Sequence, residues 1–287
     1  MPADISAHLT HVVPEINFTR IANSVTFQTI GHLGADVFLT SKDPVEDSPA
    51  WMNSTFNKPN EIGYTVAPVT IIAVEKSGGI VDAFYFYFYS FDEGNNGPGH
   101  PPGSHIGDWE HSMVRFVDGA PSVLYISAHA SGEAIQYNIT TLTRGRATTF
   151  IAGGSHANYA TPGDHLHGTN NTLDDRTDSG ALWDVTLNFR GYWFDNATQA
   201  FSIAGGRNVG ALEESFDDEG TGWLDFQGMW GDEQYPVGEH GQFCDSPEAC
   251  LFASGPTGPI AKNLGRTLPC QNEAGCTVLT KLVPGVS

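Results

Sequence analysis

The sequence predicts an all-β protein, an antiparallel β-sandwich of the jelly-roll or lectin-like kind with long loops and few short helices. Three observations carry the prediction. Gly79-Ile-Val-Asp-Ala-Phe-Tyr-Phe-Tyr-Phe-Tyr89 is a run of β-branched and aromatic residues, the composition of a buried strand. Trp109-Glu-His-Ser-Met-Val-Arg-Phe-Val117 alternates, Asp118-Gly-Ala-Pro turns, and Ser122-Val-Leu-Tyr-Ile-Ser-Ala128 follows, which reads as a hairpin. No segment sustains a helical apolar period, while 33 glycines and 17 prolines punctuate the chain.

Taken in order, residues 66–74 form a strand, followed by the 79–89 strand and the 109–128 hairpin. Residues 134–139 and 147–152 form further strands, rich in Ile, Tyr, Thr and Phe. Short helices are expected near residues 44–51 and 247–252. Long loops fall at 91–107 and 153–184, where glycine, proline, asparagine and histidine collect. No repeat or linker divides the chain, so residues 1–287 are expected to be one domain with a disulfide-containing C-terminal segment at about 240–287.

Composition bounds the function. The net charge of −20 argues against nucleic acid or an anionic membrane as an electrostatic partner. No apolar run approaches the ~18 residues of a transmembrane helix. Met1-Pro-Ala-Asp-Ile-Ser lacks the basic start and apolar stretch of a signal peptide, as numbering from after a removed leader would have it. Secretion is expected on two other grounds. Asn17, Asn53, Asn138, Asn170 and Asn196 each head a glycosylation triplet. The 4 cysteines, Cys244, Cys250, Cys270 and Cys276, lie in two identically spaced pairs at the C-terminal end, unlike a zinc ribbon. Two disulfides closing two local loops are the expected arrangement.

Two histidine clusters point to chemistry. In Ser104-His-Ile-Gly-Asp-Trp-Glu-His111, strand alternation puts Asp108 and Glu110 on one face and Trp109 and His111 on the other. His105 enters from the loop and can fold back on the carboxylates. One imidazole and two carboxylates form half of a divalent-metal site, with Asp92 or Glu93 able to complete it. His129 ends the neighbouring hairpin strand and is expected to face His111. The second cluster, Gly153-Gly-Ser-His-Ala-Asn-Tyr-Ala-Thr-Pro-Gly-Asp-His-Leu-His167, offers His156 and Tyr159 as acid/base groups, with His165 and His167 alternating around Leu166. Leu173-Asp-Asp-Arg-Thr-Asp178 follows with four charged side chains. Its ordinary reading is a polar loop held by its own hydrogen bonds.

Several long motifs resemble one fungal family, named after the vacuolar protein sorting-associated protein of the "sixty-two" type. They are Gly107-Asp-Trp-Glu-His111, Ser155-His-Ala-Asn-Tyr-Ala-Thr-Pro-Gly-Asp-His165, the 173–184 segment, Trp230-Gly-Asp-Glu-Gln-Tyr-Pro236 and Gly255-Pro-Thr-Gly-Pro259. That name implies trafficking rather than a chemistry. More locally, His105-x-x-Asp108-x-Glu110 is similar to the heptad of the necrosis- and ethylene-inducing-like cytolysins, which are secreted β-sandwich proteins. The resemblance implies His105, Asp108 and Glu110 as metal ligands, with Asp92 as the additional carboxylate. Gly103-Ser-His-Ile-Gly107 departs from the start of that heptad.

Three functions follow as expectations. The first is a secreted, N-glycosylated, monomeric, metal-dependent hydrolase or lyase acting on an extracellular glycan or similar polar polymer. Its ion, Ca²⁺ or Mg²⁺ ahead of Zn²⁺, would sit on Asp92, His105, Asp108 and Glu110, with His111, His129, His156 and Tyr159 as acid/base groups. The alternative is a metal-dependent binder of a glycan or sphingolipid headgroup. The third is a vacuolar trafficking factor.

Overall fold

The aromatic and β-branched runs become the strands of one large sheet in the computed structural model, which describes residues 1–94, 102–167, 173–210, 219–246 and 249–282. Its strands are β1 (Val69–Lys76), β2 (Ile80–Asp92), β3 (His105–Val117), β4 (Ala120–Ala128), β5 (Ser131–Gln136), β6 (Asn188–Asp195), β7 (Ala200–Asn208) and β8 (Val278–Leu279). Their order is β7-β6-β1-β2-β3-β4-β5-β8. The all-β expectation is met, with unequal layers: small antiparallel sheets accompany this one large sheet. Neighbours from β1 to β5 are antiparallel. At the flanks β6 runs parallel to β1 and β8 parallel to β5. Those strands arrive after long excursions, so no tight turn dictates their direction.

Local chemistry explains the central hairpin. Asp118 (φ 49°) and Gly119 (φ 79°) both adopt the left-handed backbone that a two-residue turn requires. In β2, Phe84, Phe86 and Phe88 alternate with Tyr85, Tyr87 and Tyr89, so the phenyl rings take one face and the phenols the other. The phenyl face joins the main core with Trp109, Met113 and Tyr125. Ile5 and Leu9 of the helix Ile5–His11 cover it, together with Trp223, Phe226, Trp230 and Leu264. Over the phenol face lie Ile151, Trp183 and Val185.

Gly107 breaks the alternation in β3. Its φ is 67°, and a β-carbon there would stand 2.1 Å from the Trp230 carbonyl oxygen. Pairing with β2 continues without a shift on either side, Tyr89 with Asp108 and Phe91 with Ile106. Side-chain direction nevertheless reverses. Ile106 and Trp109 both enter the main core. Asp108 and, across the sheet, Asp92 therefore come to the same polar face.

Several expectations are corrected. The 91–107 loop is shorter than expected, because β2 reaches Asp92 and β3 starts at His105; residues 95–101 lie outside the described set. The 153–184 region is not all loop: Asn158–Tyr159 pairs with Phe150–Ile151, and Gly163–His167 with Leu173–Thr177. The helix expected at 247–252 does not form over its described residues: Ala249–Cys250 pairs antiparallel with Cys244–Ser246, with the Cys244–Cys250 disulfide joining the two strands, and residues 247 and 248 lie outside the described set. Near 44–51 the turn Val45–Asp47 and the helix Ala50–Asn53 do form. Both disulfides close local loops as expected, Cys244–Cys250 and Cys270–Cys276. Asn170 lies outside the described residues.

Candidate metal centre

The polar face of β2 and β3 presents Asp92, Asp108 and Glu110 under the 153–159 loop. One ligand atom each from Asp92, Asp108 and His156 lie within 4.8 Å of one another, and all three residues are buried. His156 Nδ1 is 3.1 Å from Asp108 Oδ2, and its ring stacks on Tyr89 at 3.7 Å. The Tyr89 hydroxyl is buried with no hydrogen-bond partner among the described residues. A buried hydroxyl left without a partner is uncommon and calls for an explanation, such as an ion or ordered water beside it. Burial, then repulsion from Asp108, pushes the Asp92 carboxyl up. Such a donor set suits a divalent cation, whose charge would relieve both effects.

The other expected ligands surround this trio. His105 Nε2 lies 3.7 Å from Asp92 Oδ2, while its Nδ1–H donates to the Gly107 carbonyl at 2.7 Å. Glu110 shares the face but accepts a hydrogen bond from the Ser127 hydroxyl. Burial, then repulsion from Asp108, pushes the Glu110 carboxyl well above the usual range. Ser104 anchors the entry to β3. Its backbone pairs with Leu251 and Ala253, beside the disulfide hairpin, and its hydroxyl donates to the Glu93 carbonyl at 2.9 Å.

The acid/base candidates divide. His156 joins the trio. His129 does not face His111. At φ 55° it leaves its strand, and its Nε2 meets Asp175 Oδ2 at 2.7 Å. Tyr159 also donates to Asp175 Oδ2, at 2.6 Å. His111 stands on the opposite face, fully buried, with Nε2 3.1 Å from an Arg266 guanidinium nitrogen. The structure therefore does not bring His111 to the other candidates. His165 stacks on Tyr159 at 3.7 Å. Two contributors were not singled out in the sequence, Tyr89 and Asp175. The strict Phe/Tyr alternation was the available signal for Tyr89. For Asp175 it was the charged run 173–178.

Comparison with known proteins gives the family. The model described as vacuolar protein sorting-associated protein 62, Vps62, matches residues 100–233. The protein of that name from Saccharomyces cerevisiae is 35% identical over 253 residues, covering 82% of this chain and 52% of the relative. The chain belongs to the Vps62 family. Yeast TDA6, which also carries a vacuolar protein sorting-associated name, is 37% identical over 259 residues, covering 82% of this chain and 53% of TDA6. This Vps62-family chain thus spans about half the length of these curated relatives. Two solved structures are described as "Toxin fold for microbial attack and plant defense" and "NLPPya in complex with glucosamine". They align at TM-scores of 0.25 and 0.24, with 16% and 14% identity over 50% and 46% of this chain, and 59% and 52% of theirs. That likeness is too low to transfer any property. The family overturns the expected secreted, N-glycosylated, extracellular setting, since the relatives are named for vacuolar sorting. The expected metal-dependent hydrolase is corrected with it, and the ion has only the local geometry in its favour.

Proposed function

We propose that this chain is a divalent-cation-binding module of a vacuolar sorting-associated protein. Its ion would offer open coordination positions to an oxygen-donor ligand, a glycan or another polar headgroup. The observation that supports this is the convergence of Asp92, Asp108 and His156 within 4.8 Å. Three protein ligands leave about half of an octahedral shell for a ligand. Two carboxylates suit Ca²⁺ or Mg²⁺, and the imidazole widens the choice to Zn²⁺. The Vps62 relationship supports a role in vacuolar sorting, and binding alone, without bond cleavage, meets the needs of such a role.

Calorimetric titration with each of these ions tests the site. Wild type is expected to bind one ion, and Asp108→Ala to bind it at least tenfold more weakly. Equal affinity in the two proteins would overturn the proposal. In the full-length protein the same substitution is expected to impair delivery of vacuolar cargo. Normal delivery by a protein that has lost its ion would separate the site from sorting.

A further inference from the structure

We infer that Asp175 is a positioning residue whose carboxylate clamps the 153–159 loop onto the sheet and holds His156 against Asp108. The inference rests on the proposed cation site and names what assembles its third ligand.

Asp175 lies in the middle of the strand Leu173–Thr177 and is 1% exposed. Three side chains from two separate segments converge on it. The Ser155 hydroxyl donates to Oδ1 at 2.6 Å, the Tyr159 hydroxyl to Oδ2 at 2.6 Å, and His129 Nε2 pairs with Oδ2 at 2.7 Å. Ser155 and Tyr159 bracket His156 in sequence. The carboxylate therefore grips the loop on both sides of the ligand and ties it to His129 at the end of β4. His156 itself holds φ 55°, a left-handed backbone uncommon for a residue other than glycine. The backbone adds two further ties, from Gly153 N–H to the Arg176 carbonyl at 3.1 Å and from Glu93 N–H to the Gly154 carbonyl at 3.2 Å. Burying a carboxylate is unfavourable without such partners. Against burial, the hydrogen bonds from His129, Ser155 and Tyr159 hold Asp175 ionised, with its pKa down at about 2. Both of its oxygens are engaged by these side chains, and it is not among the three residues whose ligand atoms converge, which separates its role from that of Asp92 and Asp108.

The test uses Asp175→Asn, which keeps the volume but loses the charge and one acceptor oxygen. Tyr159→Phe keeps the ring on His165 and removes one bond. In the ion-free chain, hydrogen–deuterium exchange should quicken within residues 153–159 in Asp175→Asn and leave β2 and β3 unchanged. With Cu²⁺ as the probe ion, wild type should show ¹⁴N echo modulation from a bound imidazole, and His156→Ala should lose it. Asp175→Asn should also lose it and bind Cu²⁺ at least tenfold more weakly. Tyr159→Phe should fall between wild type and Asp175→Asn, and it carries the test alone if Asp175→Asn does not fold. Unchanged modulation and affinity in the variants would overturn the inference, as would exchange that rises evenly across the chain. Failure of wild type to bind any ion would overturn the proposed function instead, and the ion-free exchange would still decide whether Asp175 is the clamp.

Discussion

Asp232 and Asp175 are both buried carboxylates, and their surroundings move them in opposite directions. Asp232 accepts from the Ser41 backbone N–H at 2.6 Å and from the Tyr235 hydroxyl at 2.8 Å. Burial outweighs these bonds and lifts its pKa from 3.8 to about 6. The folded chain thus holds this proton more tightly than the unfolded chain. Its contribution to stability is complete below pH 3.8 and is lost as pH rises through about 6. About two pKa units correspond to roughly 3 kcal/mol. Urea unfolding of wild type and Asp232→Asn should therefore diverge between pH 4 and 8, with the variant gaining on wild type as pH rises. A pH-independent difference would refute this account. For Asp175 the sign is reversed, since its contribution is present above pH 3.8 and is lost as pH falls through about 2. Its partner His129 is held above the ordinary histidine value: burial opposes its charge, and the Asp175 hydrogen bond and charge override burial. That pairing is complete below pH 6.5 and weakens as pH rises through the raised value. Proton NMR of Asp175→Asn should find the His129 pKa lowered, and an unchanged value would mean that Asp175 does not set it.

At the scale of the element, two glycines in left-handed backbone separate site construction from ordinary turn-making. An alanine at Gly119 would strain φ at 79° but meet no atom within 4 Å. It should cost about 1–2 kcal/mol and leave ion binding alone. An alanine at Gly107 adds a close approach to the Trp230 carbonyl, at 2.1 Å. Strain and overpacking together should cost on the order of 3 kcal/mol or more, with loss of ion affinity. Chemical denaturation and calorimetry on both variants check this, and equal effects would defeat the role assigned to Gly107. The same position marks how far the site could be read from sequence. Asp108 and Glu110 sharing a face follows from strand alternation, as does the exile of His111. Bringing Asp92 and His105 to that face needs the reversal at Gly107, and a glycine letter does not announce its φ. His156 reaches Asp108 across 48 positions, through a clamp built from a hairpin that the polar 153–184 segment concealed. The strands from 66 to 128 were legible because their apolar pattern is local. β6 and β7 were not, because Gly191, Gly205 and Gly206 dilute the pattern there.

For the whole molecule, the net charge of −20 predicts self-repulsion, so monovalent salt should stabilise wild type and Asp108→Ala alike. Site binding acts differently. A divalent ion at a hundred times its dissociation constant should stabilise wild type by about 2.7 kcal/mol beyond a monovalent salt of equal ionic strength. Asp108→Ala should show far less of that excess. Thermal unfolding in matched salts distinguishes the two, and equal shifts in both proteins would mean that the ion acts only by screening. The alternating rings of β2 have a further consequence, for folding fidelity. If β2 slipped by one residue against β3, the hydroxyls of Tyr85, Tyr87 and Tyr89 would enter the apolar layer, and the rings of Phe84, Phe86 and Phe88 would be set among the carboxylates. The Tyr89 hydroxyl is already without a partner, but newly burying those of Tyr85 and Tyr87 would cost about 1–3 kcal/mol each, a sizeable share of the stability of an ordinary domain. The strand thus checks its own reading frame, and an out-of-step pairing comes apart before the rest of the chain can build on it.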